Sequence, residues 1–446
     1  MQRSQASEIE PQNEDPNERI RELTARLLER EAEIIERDNQ LAEIQMSREW
    51  RLARLLHRIG SRLAPPNSRR ERLGRALLSF VMGFDAVWNF IIRRKTKRNI
   101  TTRQPSGSSS SAKSHKLKIA YVIPGTAISG GVAVVCEHAN RLIQRGRDVS
   151  IISEDNLDRI SWFPHQSVPV IPISQITEGA YDILVATGWT TAYTVQTLEA
   201  DRKFYFVQSD ESRFYPAGDF RAKRARKTYA MDFEFITMAG WIRTWLKNEY
   251  GKDAPVVPNG INDRLLFPDE PLEKKGSRVR VLLEGAINMP YKGMRDAFAA
   301  VRDLDCEVWC VSSSGKPEPD WKCDRFLGKV PFGRMRHVYS SCDLLLKMSR
   351  IESFCYPPLE MMACGGTAVV GKVTGIEEYI VDGYNALVVE QGDVQGAREA
   401  VKKLIENETL RRELTVNGGK TAQKFRWDSS IDILETIFFD RQMKPR

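Results

Sequence analysis

The chain has no pair of cysteines at CxxC spacing, and its seven cysteines are an odd number. Cys136, Cys306, Cys310, Cys323, Cys342, Cys355 and Cys364 fall mostly in apolar stretches. That argues against a zinc ribbon or a disulfide-stapled scaffold and for reduced core thiols. Also lacking is a run of about 20 apolar residues of the kind a spanning helix needs. The strongest candidate, ALLSFVMGFDAVWNFII at 76–92, is shorter and contains Asp85 and Asn89. The opening stretch MQRSQASEIEPQNED is polar and acidic, so no signal peptide is expected. No cluster of carboxylates marks a metal site, and neither a metal nor a cofactor is expected.

What is present is a chain of 446 residues, 41% hydrophobic, with a net charge of +8. That length suits two globular domains with residues to spare. Residues 1–15 read as a disordered tail. Asp15-Pro16-Asn17-Glu18 then has the form of a helix start. Ile20, Leu23, Leu27, Ile34, Leu41 and Ile44 follow at heptad-like steps, which predicts a coiled-coil-like helix over 16–60. Arg30 and Arg37 interrupt its seam, so a coiled-coil dimer or partner enzyme competes with a solvated charged helix. Residues 61–100 place the apolar run between RRERLGR and IIRRKTKR. Basic flanks on an amphipathic helix suit an anionic membrane surface better than nucleic acid. The expected location is therefore cytoplasmic, peripheral at the inner face of the membrane. A Ser-rich linker, 101–116, separates this region from the rest.

The pattern then changes. LKIAYVI, DVSIIS, YDILVAT, KFYFVQ and FEFITM read as strands, with helical stretches between them. VRVLLEG restarts the series, followed by CEVWCVS, DLLLKM and TAVVG. Alternation of this kind predicts α/β structure with parallel sheets. Two runs of it imply two doubly wound Rossmann-like domains, 117–262 and 263–426, and 427–446 is expected to be a helix returning to the first. Ligands in such sheets bind beyond the carboxyl ends of the strands, here in the cleft between the domains.

RIESFCYPPLEMMACGG, residues 350–366, puts Glu352 in the loop after DLLLKM and Glu360 in the helix that follows. Carboxylates accept hydrogen bonds from vicinal sugar hydroxyls, and N–H groups at a helix start suit a phosphate. A nucleotide sugar offers both kinds of group.

These residues resemble the donor-binding signature of the retaining GT-B glycosyltransferases of family 4. The resemblance rests on Ser349, the Glu352-x7-Glu360 pair, Pro358, Met-Ala-Cys-Gly at 362–365, Thr374-Gly375-Ile376-Glu377 and Asp382-Gly383-Tyr384-Asn385. Gly130-Gly131, Pro258-Asn259-Gly260 and Glu284-Gly285…Lys292-Gly293 extend it over about 117–440. YFVQSDESRFYPAG at 205–218 looks, more loosely, like the rhamnosyltransferase branch.

The resemblance implies transfer of a sugar from a nucleotide diphosphate sugar to a glycan or lipid-linked glycan in surface polysaccharide assembly, with retention and without metal. The looser likeness of 205–218 to the rhamnosyltransferase branch tilts the donor towards a deoxysugar such as dTDP-rhamnose, with the base and sugar left open. Glu360 would hold the ribose, Glu352 the transferred sugar and Lys292 the diphosphate. Gly130, Gly131, Asn259, Gly285, Ser353, Phe354, Cys355 and Tyr356 would complete the donor site. Gln208 and Asp210 stand as catalytic candidates with Glu352, and Trp189 and Glu211 on the acceptor side.

The chain departs from the family pattern at three places. Ala286 stands where an arginine is common, Ser353 and Cys355 where glycines are common, and the first domain lacks the usual histidine. A competing reading is a non-catalytic, membrane-associated docking protein with a degenerate GT-B body.

Overall fold

The computed structural model describes residues 116–177 and 179–439. The expected tail, coiled-coil helix and membrane-proximal region, with the linker up to residue 115, lie outside the described residues.

Six strands form the first sheet: β1 (Lys118–Ile123), β2 (Asp148–Ser153), β3 (Val170–Pro172), β4 (Ile183–Ala186), β5 (Arg202–Val207) and β6 (Glu234–Thr237). Their order is β3-β2-β1-β4-β5-β6, and every pair is parallel. The second sheet is built from β7 (Arg280–Glu284), β8 (Glu307–Val311), β9 (Arg325–Leu327), β10 (Leu344–Lys347), β11 (Thr367–Gly371) and β12 (Leu387–Val389). It runs β12-β11-β10-β7-β8-β9, again all parallel. Numbered from its own first strand, it repeats the order of the first sheet. In each sheet the strand order reverses once, between β1 and β4 and between β7 and β10. A crevice opens at the carboxyl ends of those central strands.

The helices between them are α1 (Gly130–Gln144), α2 (Trp189–Thr197), α3 (Phe220–Thr228) and α4 (Gly240–Tyr250) in the first domain. In the second they are α5 (Met294–Val301), α6 (Met335–Ser341), α7 (Tyr356–Ala363), α8 (Val394–Glu406) and α9 (Glu408–Ala422). A last helix, α10 (Trp427–Phe439), packs on the first domain. Arg145 on the turn after α1 reaches Asp432 at 2.6 Å and Glu435 at 2.8 Å, and Phe438 meets Phe204 edge-to-face at 5.0 Å.

Central strands buried on both faces read as continuous apolar runs rather than alternating ones. Every residue of β4, ILVA, is buried, and so is every residue of β10, LLLK. In β10, Leu344 and Leu346 enter one apolar cluster and Leu345 the other. The two-residue period of a strand then puts Lys347 on the Leu345 face. Helix starts are equally legible. Ser129 accepts a hydrogen bond from Val132 N at the head of α1, and Asp393 does the same for Gly396 N at the head of α8.

Between the domains, a Cβ added at Gly260 would stand 2.5 Å from the Trp427 backbone nitrogen, so only glycine fits where the two crossing segments meet. The seven cysteines are free thiols, all buried except the partly exposed Cys323. Among the described residues, no helix is long and apolar enough to cross a membrane.

Candidate active site

The two crevices face one another across a cleft of about 720 Å³, a volume in the range of small-molecule sites. One wall comes from the first domain: Ser129, Gly130 and Gly131 at the start of α1, Glu137 about two turns on, Thr187 and Gly188 after β4, and Gln208 and Glu211 after β5. The other comes from the second: Glu284 at the end of β7, Gly285 and Ala286 after it, Lys292, Lys347, and residues 352–357 with Glu360.

Loop 352–355 is held from several sides. Thr374 Oγ1 donates to Glu352 O at 2.8 Å and Trp241 Nε1 donates to Ser353 O at 2.8 Å. Tyr379 donates its hydroxyl hydrogen to Cys355 O. Gly375 makes the close approach possible, because a Cβ there would lie 2.3 Å from Ser353 O. Cys355 occupies a left-handed conformation, φ 59°, where glycine is the unstrained choice. Its side chain is buried in the cleft wall. At the head of α7, Pro357 and Pro358 have no N–H, so the helix presents fewer amide donors to the cleft than its position suggests.

Two charged groupings lie on this wall. In the first, Lys292 Nζ donates to Glu352 Oε1 at 2.8 Å, and Lys347 Nζ lies 3.8 Å from the same oxygen. Burial disfavours the Glu352 carboxylate, but the two ammonium groups outweigh it and hold its pKa below the usual value. Lys292 is likewise disfavoured by burial and held above the usual lysine value by Glu352.

In the second, the Tyr339 phenol oxygen is 2.6 Å from Glu284 Oε2 and 2.7 Å from Glu360 Oε2. A phenol has one hydrogen, so it donates to one carboxylate and must accept from the other in its acid form. Burial, then the neighbouring Glu284, pushes Glu360 up to about 8. Burial raises Glu284 as well, and the Lys347 ammonium works against it. The proton therefore belongs on Glu360, with Tyr339 donating to the Glu284 carboxylate.

Across the cleft, Glu211 Oε2 accepts from Trp189 N at 2.6 Å and from the Tyr205 hydroxyl at 3.2 Å. Burial lifts its pKa to about 7. Gln208 Nε2 donates to Thr187 O at 3.2 Å, while its Oε1 is buried without a partner. The Gln208 amide leans over Gly131, where a Cβ would sit 3.2 Å from it.

Most of the expected site residues meet in this cleft: Gly130, Gly131, Gln208, Glu211, Gly285, Lys292, Glu352, Ser353, Phe354, Cys355, Tyr356 and Glu360. Three are placed elsewhere. Asp210 caps the short turn after β5, accepting from Ser212 N at 3.0 Å and Ser212 Oγ at 2.6 Å. The Trp189 indole turns to the Tyr215 hydroxyl at 3.0 Å. Asn259 is buried behind the wall, donating to Met238 Sδ, and its neighbour Gly260 lines the cleft instead. Sequence reasoning missed Tyr339 and Lys347 as site residues. Tyr339 sits in a helix with no motif of its own. Lys347 does leave a signal, a lysine closing an otherwise apolar central strand.

Comparison with known proteins gives the same architecture. The sucrose-phosphate synthase of Thermosynechococcus elongatus superposes with a TM-score of 0.62 at 16% identity, over 73% of this chain and 99% of that one. The fold is GT-B. Anabaena HepE in complex with UDP and glucose gives a TM-score of 0.58 at 16% identity, over 73% of this chain and 100% of the other. Residues 324–421 of the GT-B chain match the family model of glycosyl transferases group 1, a segment that contains both Glu352 and Glu360. An uncharacterized glycosyltransferase of Methanocaldococcus jannaschii is 27% identical over 44% of this chain and 57% of its own length. The O-antigen biosynthesis protein RfbC of Myxococcus xanthus is 26% identical over 57% of this chain. The match spans 20% of RfbC, so these sequence relatives are longer than the part they share with this chain.

Proposed function

We propose that the chain transfers a sugar from a nucleoside diphosphate sugar to a glycan or lipid-linked glycan, with retention at the anomeric carbon and without a metal. The observation that carries this reading is the placement of Glu352 and Glu360 on one wall of a two-domain cleft, inside the segment that matches glycosyl transferases group 1.

Glu360 faces the ribose hydroxyls, and Glu352 accepts hydrogen bonds from the transferred sugar. Lys292 stabilises the charge that develops on the diphosphate leaving group, the main electrostatic task in such a transfer. The acceptor hydroxyl approaches from the first domain, between Gln208 and Glu211. The unpartnered Gln208 oxygen offers it a hydrogen-bond acceptor. Asp210, spent on its cap, leaves the first-domain contribution to these two residues.

UDP is the first nucleotide to test, because HepE binds it on the same fold. A dTDP-linked deoxysugar is the second, from the look of 205–218. An acceptor in surface polysaccharide assembly is suggested by the O-antigen relative. Docking on the cytoplasmic membrane face through 61–100, and a coiled-coil partner through 16–60, rest on sequence alone.

The test is incubation of the full chain with UDP-, GDP-, ADP- and dTDP-sugars, followed by release of the free nucleotide, with and without EDTA. Release unaffected by EDTA supports the reading, and proton NMR of the glycosylated product reads the anomeric configuration. A dependence on divalent metal would overturn the metal-free part. Inverted product would overturn retention.

A further inference from the structure

We propose that Lys347 is a second diphosphate-binding cation, and that Glu352 holds it and Lys292 in the empty cleft until the donor's phosphates take over both ammonium groups. This rests on the donor site proposed above and adds a residue and an exchange step to it.

Position comes first. Lys347 is the last residue of β10 and Glu284 the last of β7, the two strands that flank the point where the sheet order reverses. Their register is in step, Leu346 opposite Leu283, so the two residues close the crevice side by side. Lys347 is 3% exposed and lines the cleft. A buried ammonium group is costly unless it is hydrogen-bonded and paired. An ammonium has three N–H donors. One Lys347 donor goes to Glu284 O at 2.7 Å. The contact with Glu352, 3.8 Å, is too long for a hydrogen bond. The group is therefore buried at the cleft wall with donor capacity to spare.

The charge balance of the cluster points the same way. Lys292 and Lys347 contribute two positive charges. Glu352 contributes one negative charge, and the Glu284–Tyr339–Glu360 chain, sharing one proton, contributes another. The cluster is neutral with Lys347 and negative without it. A negative cluster would repel a diphosphate across a few ångströms of low-dielectric space.

Third, other phosphate-binding devices are thin on this wall. Ala286 has no charge, and Pro357 and Pro358 remove two amide donors from the start of α7. The start of α1 supplies amides from the opposite wall, but no cation. Lys347 provides from β10 what the β7 loop lacks. Once the two ammonium groups turn to the phosphates, Glu352 is free to meet the sugar.

The alternative is that Lys347 only ties β7 to β10 through the Glu284 carbonyl. Calorimetry of the full chain separates the two. UDP, GDP, ADP and dTDP are titrated into wild type, Lys347→Met, Lys347→Gln and Lys347→Arg, and each matching nucleoside is titrated in parallel. The expected result is a loss of roughly tenfold or more in diphosphate affinity for Lys347→Met and Lys347→Gln, a scale set by one charge-assisted hydrogen bond. Nucleoside affinity is expected to stay within about twofold, and Lys347→Arg to recover most of the loss. Lys347→Gln keeps an N–H donor on this side chain, so it guards against collapse of the Met variant. Glu352→Gln, which releases both ammonium groups, is expected to raise diphosphate affinity. Diphosphate affinity unchanged in Lys347→Gln, or diphosphate and nucleoside weakened equally, would overturn the assignment. Wild type that binds none of the four diphosphates would instead overturn the donor site itself, and this inference with it.

Discussion

Glu360 and Tyr339 meet at 2.7 Å, and the same phenol oxygen lies 2.6 Å from Glu284. Two buried carboxyl groups on one phenol need a proton between them; burial raises both, the Lys347 ammonium works against it at Glu284, and the proton rests on Glu360, whose pKa rises to about 8. A carboxyl group whose pKa is higher folded than unfolded binds its proton more tightly in the native state. Its contribution is complete below the unfolded value, near 4.5, and is lost as pH rises through about 8. Melting temperature is expected to fall from about pH 5 to about pH 8. Glu211, raised to about 7, adds a slope of the same sign. Glu360→Gln keeps a neutral hydrogen-bonding group and should flatten the profile relative to wild type. An equal slope in the variant would remove the proton from Glu360.

Glu352→Gln should leave the chain folded and reduce transfer. In the proposed function the carboxylate accepts from the sugar, and loss of one such interaction in a closed site costs about 10² to 10³ in kcat. Steady-state kinetics with the donor in excess measures it. A rate within about threefold of wild type would contradict the role given to Glu352.

Much of this arrangement was legible in the sequence, and the reasons it was not are local. The nine strands expected from apolar runs are all present, because central parallel strands are buried on both faces and leave unbroken apolar stretches. The three strands that went unread, β3, β9 and β12, are sheet edges of three residues each. Three residues cannot show a period. In the site, Glu352 and Glu360 were readable because one loop–helix segment contains both. Tyr339 was not, since it reaches the carboxyls from a helix 21 residues away from Glu360. Asp210 admits two readings in the sequence. An acidic residue two positions before a serine is as good a turn cap as a catalytic group, and here it is the cap.

Gly293→Ala tests the close approach between the two donor loops. Gly293 has φ 63°, and a Cβ there would lie 1.8 Å from Met348 O, a backbone atom with no room to move. Strain at a positive φ and a backbone clash are both among the mechanisms behind large losses. Destabilisation of about 3 kcal/mol or more is expected from urea unfolding. Gly130→Ala is the control, since a Cβ there meets nothing within 4 Å. It should cost little stability, and a similar loss at both positions would contradict the packing.

Glu211→Gln tests the first-domain wall. The ionised carboxylate is the stronger hydrogen-bond acceptor for an incoming hydroxyl. Wild-type kcat/KM for the acceptor is expected to rise as pH passes through about 7, where Glu211 ionises. The variant should lose that limb while donor KM stays within about twofold, if Glu211 serves the acceptor side as proposed. A profile of unchanged shape would confine Glu211 to holding Trp189 N and Tyr205.

The most direct test of the donor site is a thermal-shift measurement on the full chain with UDP, GDP, ADP and dTDP, each without added metal. The account predicts that one of them raises the melting temperature of wild type and fails to do so for Glu360→Ala, which loses the ribose partner. No shift from any of the four in folded wild-type protein would contradict it and favour a docking role for a GT-B body that no longer binds a donor.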